Sequence, residues 1–474
     1  MDFASLLLVF VGAFNVLVLL YFITLNGVYL VTSLLAFGAL RRDAVRLESF
    51  EVDDLLTTSG APPVTLIAPA FNEESTCVEA VRSLLTLRYP EHQVLVVNDG
   101  SRDGTMDRLR EAFELAEAPL AQTAEIPTAP VRGVWRSRRH PNLWVVDKEN
   151  GGKADALNAG LNFCRTPLFC AIDADTLLEP DALSRIARVF VENAETVAAG
   201  GIIRIANGCT VRSGVVVDVG LPESLLARFQ VLEYLRVFLG GRMGWDALDA
   251  TLIISGAFGM FQRAAVVEVG GYATDTVGED MELVVRLHRH FRQEGIPYRI
   301  VYVPDPVAWT ECPETVRVLG RQRDRWQRGL VETILRHRKM LLNPRYGRIG
   351  MLAFPHFFFL EMLGPVVEIL GYLFFALTLA MGWASPAYVV AFLSVAVLLG
   401  IVLSMVSVVL EELSFRRYPR TRDLLRLFGL AVLENFGYRQ LNTFWRIRGV
   451  LSKLRGAKEW GRMERKGFGT KHAT

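Results

Sequence analysis

From Phe3 to Leu40 no side chain is charged, and Arg41 and Arg42 close the run. A hydrocarbon core about 30 Å thick takes about 20 helical residues, so this stretch is long for one crossing and short for two with a turn. It is read as one tilted helix. A secretory signal has an apolar core of about 7 to 15 residues, with a basic flank ahead of it and a small-residue cleavage site behind, and the run does not fit that pattern. Arginines on its far side place residue 41 onward in the cytoplasm by the positive-inside tendency.

Hydrophobic residues make up 51% of the 474 and charged residues 22%. That is too apolar for an ordinary soluble protein and too charged for one made only of membrane spans. Two more apolar runs, Pro365 to Trp383 and Pro386 to Leu410, flank the Ala384-Ser385 turn, and Arg416, Arg417, Arg420 and Arg422 follow them. They read as a hairpin that leaves the cytoplasm and returns. Leu424 to Leu451 is apolar but holds Glu434 and Arg439, and from Leu413 to Thr474 there are 15 Lys+Arg against 4 Asp+Glu. Such a surplus sits best on anionic lipid, so the segment is read as interfacial or re-entrant rather than as a further span. Glu361 and Glu368 stand among apolar residues, where carboxylates usually face a polar cavity; a pathway lining is expected of them.

The domain boundaries follow: an N-terminal transmembrane helix over 1–42, a cytoplasmic α/β domain over 62–313, amphipathic interface helices over 314–350, a transmembrane region over 351–412 and a basic interfacial tail over 413–474. A net charge of only +2 removes nucleic acid as a partner class. Cys77, Cys164, Cys170, Cys209 and Cys312 are scattered and odd in number, as core thiols in a reducing compartment are.

Within the cytoplasmic block, Val64 to Ala68, Val94 to Val97, Leu143 to Val146 and Leu168 to Ile172 are apolar strand candidates, each followed by a polar loop and a helical pattern. The alternation predicts a parallel sheet flanked by helices, with ligands gathering at the carboxyl ends of its strands. Those ends read Phe71-Asn72-Glu73-Glu74, Asn98-Asp99-Gly100-Ser101, Asn150-Gly151-Gly152-Lys153 and Asp173-Ala174-Asp175. Taken singly, the second is ordinary turn chemistry, and the third is either a helix start or a phosphate cradle. Asp173 and Asp175 project to one side of an extended segment, and like charges so placed call for a compensating cation. Magnesium on a diphosphate supplies one; a solvated turn is the plainer reading of the pair taken alone.

The run Ala68 to Glu74, then Asn98 to Ser101, Lys153 to Asn158, Asp173-Ala174-Asp175, Gly278-Glu279-Asp280 and Gln322-Arg323-Asp324-Arg325-Trp326 resembles, in order, the motifs of family 2 glycosyltransferases. It is most similar to the processive membrane synthases of poly-N-acetylglucosamine, chitin, hyaluronan and cellulose. The resemblance implies a GT-A-type α/β domain set between transmembrane helices of a bacterial inner-membrane protein. It implies that a UDP-sugar, with UDP-N-acetylglucosamine weakly favoured, extends a β-linked glycan that is then exported. Phe71, Asn72, Glu73, Asp99, Lys153, Asp173 and Arg325 then bind the nucleotide sugar, Asp175 holds Mg2+ or Mn2+, Asp280 with Glu279 is catalytic, and Trp326, Gln322, Ser255 and Gly256 meet the acceptor. The lipid bilayer is a partner by the same reading, and an accessory membrane subunit is allowed.

Each of these residues also has a plainer reading. Asp280 opens a helical pattern, where acids ordinarily cap or face the dipole. Leu319, Trp326, Leu330 and Ile334 share one helical face beside an Arg321, Arg325 and Arg328 stripe, as in helices that only lie on membranes. Ser255 and Gly256 also suit a glycine-rich strand end. Trp460-Gly461-Arg462 is similar to a short motif of hyaluronan and chitin-oligomer synthases, and a cyclic-dinucleotide module of the cellulose synthase kind is not expected. Two rivals stand beside the synthase: a non-processive enzyme making a glycolipid, and a catalytically silent transport or scaffold subunit.

Overall fold

The computed structural model describes residues 3–49, 60–119, 121–173, 176–212 and 214–455. Its strands in chain order are β1 (Val64–Ala70), β2 (His92–Asp99), β3 (Leu115–Glu117), β4 (Val131–Ser137), β5 (Leu143–Lys148), β6 (Leu168–Ile172), β7 (Leu177–Leu178), β8 (Thr196–Ile205), β9 (Thr210–Arg212), β10 (Val215–Asp218), β11 (Phe258–Gln262) and β12 (Arg299–Thr310). Ten of them form one sheet in the order β3-β4-β5-β2-β1-β6-β11-β8-β12-β7, and β9 pairs with β10 alone. The four expected strands are its parallel centre, β5-β2-β1-β6. The sheet as a whole is mixed. β11 runs antiparallel between β6 and β8, and β4 is followed by β5 antiparallel to it across a short turn, since a short turn can join only antiparallel neighbours.

Alternate residues of these strands feed separate cores. Leu66, Val94, Val96 and Val145 pack on one face with Cys170, while Ile67, Leu95, Val97 and Val146 pack on the other with Phe169. A sheet covered on both faces accounts for strands that are apolar throughout rather than alternating. The five cysteines are free thiols, four of them buried.

The first apolar run is one helix, Phe3–Ser49, and Leu6, Phe10, Leu17 and Leu20 are exposed along it. Among the described residues two helices, Val9–Arg42 and Pro386–Ser414, are long and apolar enough to cross a membrane; Ile349–Met362 and Gly364–Ala380, bent by 44° at their junction, make a third if taken as one span. The region from Leu424 to Leu451 is not a single helix. It is divided into Thr421–Leu433 and Tyr438–Leu454, and Glu434 at the break takes hydrogen bonds from Arg236 at 2.5 Å and Arg439 at 2.9 Å. The second piece lies along the helix Val316–Arg336, with Arg448 on Asp324 at 2.9 Å and Lys453 on Glu332 at 3.0 Å. Glu361 pairs with Arg446 at 2.8 Å, and Glu368 accepts from the Thr443 hydroxyl at 2.8 Å, so both carboxylates tie helices together. Trp460-Gly461-Arg462 lies outside the described residues.

Candidate active site

The loops after β1 and β2 are stitched together. Asn72, in the left-handed region with φ of 55°, accepts the Arg102 amide on its side-chain oxygen at 2.9 Å, and its own amide donates to Ser101 at 2.9 Å. Asparagine is among the few residues that tolerate this conformation. The Glu73 amide donates to Thr105 at 2.9 Å and its carboxylate accepts from Thr76 at 2.7 Å. Phe71 is left exposed at the rim.

Asp99 is buried, and its carboxylate organises the next loop. It accepts from Lys148 at 2.7 Å, from Asn150 at 3.0 Å, and from the amides of Gly151 at 3.0 Å and Gly152 at 2.8 Å. Lys148, wholly buried, also contacts Asp155 at 2.5 Å. Asp99 thus fixes the Gly151-Gly152 loop that carries Lys153. Lys148 escaped the sequence reading, and Asp155 was read only as part of the Lys153 to Asn158 run; the signal for Lys148 is register, since it stands opposite Asp99 across β2 and β5.

The second cluster joins four segments. Lys153 opens the helix Lys153–Phe163, Asp173 directly follows β6, Glu279 and Asp280 open the helix Glu279–Glu294, and Ser255-Gly256 precedes β11. The Lys153 ammonium lies 2.6 Å from Asp173 and 3.2 Å from Glu279. Asp280 accepts the Gly256 amide at 3.1 Å and the Met281 amide at 2.8 Å. A Cβ on Gly256 would fall 2.8 Å from Lys153 Nζ, so glycine there gives the lysine its room. Burial works against the charge on Lys153, but Asp173, Glu279 and Asp280 outweigh it and hold the ammonium above the usual lysine value. Burial, then the adjacent Asp280 charge, raises Glu279 above the usual carboxylate range despite Lys153. A small cavity lined by Ile254, Phe261 and Tyr272 lies against this cluster.

The helix Val316–Arg336 brings up the last motif. Gln322 is buried, with its side-chain oxygen lacking a partner, and Arg325 is half-buried. Leu319 and Ile334 are buried as expected, but Trp326 is not on their face in the core sense: it is 44% exposed. Arg323, one turn earlier, takes the buried place, pairs with Glu233 at 2.9 Å and lies 4.3 Å from the centre of the Trp326 ring.

Among the described residues no three acidic, histidine or cysteine side chains are grouped to hold a metal. Asp173 offers hard carboxylate oxygens on this edge, the donor chemistry that magnesium and manganese take together with phosphate oxygens. Asp175, to which the metal is assigned by resemblance, lies outside the described residues.

A family model described as glycosyltransferase like family 2 matches residues 62–329, the block that carries both clusters. The chain belongs to the family 2 glycosyltransferases. Among similar proteins, the poly-β-1,6-N-acetyl-D-glucosamine synthase of Staphylococcus epidermidis is 29% identical over 274 residues, 58% of this chain and 56% of the relative. The enzyme of that name from Staphylococcus aureus strain COL is 28% identical over the same shares. The glycosyltransferase chain therefore spans about half the length of the curated relatives it matches. The solved mannosyltransferase PcManGT from Pyrobaculum calidifontis, in complex with GDP-Man and Mn2+, superposes with a TM-score of 0.55 at 18% identity, over 92% of this chain and 100% of that one. At that identity the likeness establishes a shared GT-A fold.

Proposed function

We propose that this glycosyltransferase is a membrane-embedded hexosyltransferase that extends a β-linked polysaccharide from a UDP-sugar, with UDP-N-acetylglucosamine as the favoured donor. One observation carries the reading: Lys153, Asp173, Glu279, Asp280 and Gly256, from separate segments, converge at the carboxyl edge of the sheet, beside the helix that bears Arg325 and Trp326. The relatives' printed activity supports the choice of sugar.

The chemistry is a single inverting displacement. Asp280, aimed by the Gly256 and Met281 amides, takes the proton of the acceptor hydroxyl as its oxygen bonds to the anomeric carbon. The bond from that carbon to the diphosphate breaks, and its electron pair leaves with UDP. Lys153 and Arg325 receive the negative charge that develops on the diphosphate, Lys153 exchanging part of its contact with Asp173 for phosphate oxygens. Asp175, with Asp173, would hold a magnesium or manganese ion, which when bound would supply further positive charge for the leaving diphosphate. Glu279, 3.2 Å from the ammonium, keeps Lys153 over the loop. Phe71, Asn72 and Glu73 border the nucleoside, Asp99 positions the loop beneath the diphosphate, and Gln322, Ser255 and Trp326 face the acceptor. The catalytic block is cytoplasmic, and the helices of residues 3–49 and 349–414 form the export path.

The test is purified protein given each UDP-sugar in turn, with GDP-mannose as a further donor and magnesium or manganese present, while nucleotide release and product length are recorded. UDP release with long product supports the synthase. UDP release with only single additions to lipid identifies the non-processive rival, and no turnover with any donor removes the enzymatic reading.

A further inference from the structure

The segment that leads into the proposed base, residues 273–278, belongs to neither a helix nor a strand, so its backbone groups depend on partners outside it. Those partners come from one face of the helix Val316–Arg336, on which residues three and four apart are neighbours. Arg336 pairs with Asp275 at 2.7 Å. One carboxylate oxygen of Glu332 accepts from the Thr276 hydroxyl at 2.9 Å and from the Val277 amide at 3.1 Å. Gly329 stands against the Gly278 backbone. The buried Thr276 hydroxyl in turn accepts the Gly278 amide at 3.2 Å. Four consecutive residues are thus fixed by one helix face, and Glu279 and Asp280 follow them directly.

The second oxygen of Glu332 accepts from Lys453 at 3.0 Å, near the end of the helix Tyr438–Leu454. Burial works against the Glu332 charge, but the Val277 amide, Lys453 and the Thr276 hydroxyl outweigh it and hold the carboxyl below the usual range. All three hydrogen bonds are therefore charge-assisted, the stronger kind. Asp280 is gripped from two sides: the Gly256 amide aims its carboxylate at 3.1 Å, and the Glu332 contacts fix the backbone from which that carboxylate projects. The diphosphate side is anchored elsewhere, because Asp99 holds the Gly151-Gly152 loop and Asp173 holds Lys153 at 2.6 Å. A fault at Glu332 should therefore reach the base and spare the donor.

We propose that Glu332, braced by Lys453, is a positioning residue for Asp280, its carboxylate fixing the loop that sets where the helix Glu279–Glu294 begins. The inference rests on the proposed function. It is tested on the full chain with Glu332→Ala, Thr276→Val, Thr276→Ser, Lys453→Met and Lys453→Arg, measuring kcat per folded enzyme, the UDP-sugar KM and melting temperature. Glu332→Ala should lower kcat about 10-fold to 100-fold, the range for a misplaced reacting group, with the UDP-sugar KM within about 2-fold of wild type. Thr276→Val keeps the volume and loses the hydroxyl, and Lys453→Met keeps the stem and loses the charge. Each should lower kcat about 3-fold to 10-fold, and Thr276→Ser and Lys453→Arg should recover most of it. If Glu332→Ala does not fold, the Thr276 and Lys453 pairs carry the test. A lower melting temperature with wild-type kcat per folded enzyme makes these residues structural and overturns the proposal. A raised UDP-sugar KM with unchanged kcat makes Glu332 a donor-side residue and also overturns it. Wild-type kcat from Lys453→Met overturns the brace. A wild-type enzyme that turns over no donor instead overturns the proposed function and the positioning role with it, and so is told apart from the others.

Discussion

Gly278 and Gly329 meet backbone to backbone: a Cβ built on either would fall 2.9 Å from the Cα of the other. Gly278 immediately precedes Glu279 and Asp280, and Gly329 lies one turn beyond Arg325 and Trp326, so this contact sets the spacing between the proposed base and the acceptor platform. Backbone cannot step aside as a side chain can. Gly329→Ala in an ordinary helix gains about 1 kcal/mol from helix propensity; here overpacking should reverse the sign and cost about 1 to 3 kcal/mol. Turnover per folded enzyme should fall about 10-fold to 100-fold from misplacement. Thermal melting and UDP release check both, and a raised melting temperature would show that the contact yields.

Asp280→Asn retains the ability to cap a helix start but cannot take a proton. Turnover should drop about 100-fold to 10,000-fold while UDP-sugar binding persists. Normal turnover, with only a small change in melting, would leave Asp280 as a cap.

Chelator should abolish turnover, and magnesium or manganese should restore it. Asp175→Ala should be inactive at every metal concentration yet melt like wild type. Full activity in chelator, or in the alanine variant, refutes the metal assignment.

Trp326 is exposed while Arg323 holds one face of its ring, so the other face is available to a pyranose. Trp326→Ala should shorten the product while slow UDP release continues, with Trp326→Phe between the two. Product length per UDP released, measured on folded enzyme, is the readout. Normal length from the alanine variant would reduce Trp326 to a membrane-interface anchor.

His288 gives the fold a defined acid limit. Its Nε2–H donates to the Thr251 carbonyl at 2.7 Å, so Nδ1 accepts from the Tyr298 hydroxyl at 2.7 Å. Burial pushes its pKa down to about 4. The unfolded chain takes up this proton near pH 6.5, whereas the folded chain resists until about pH 4. Stability from this group is therefore complete above about pH 6.5 and is lost as pH falls toward 4, by up to about 3 kcal/mol. His288→Gln should flatten the pH dependence of melting over that window by about one proton; an unchanged slope would exonerate His288.

Much of this was legible from residue order. β1, β2, β5 and β6 announce themselves as apolar runs ending in polar loops, and a parallel centre follows from the helices between them. The later strands did not, because β8 and β11 carry glycines and the direction of β11 depends on a partner far away in sequence. The site residues were readable as loop-end motifs, but their partners were not: Lys148 matters only through its register with Asp99. Glu434 and Arg439, which made Leu424 to Leu451 hard to place, proved to be a helix break closed by Arg236 from the other half of the chain.

Arg204, in β8 of the catalytic sheet, is almost wholly buried against Glu411, near the end of the apolar helix Leu399–Ser414 and 207 residues later in the chain. During synthesis the sheet emerges long before its counter-charge. Until the helix Leu399–Ser414 has packed against it, the sheet holds an arginine that water must still reach, so its last side closes only when Glu411 arrives. The sheet and the later helix are thus closed on each other by an ion pair: a chain stopped before Glu411 carries the reacting residues but lacks the charge that lets the sheet seal around Arg204.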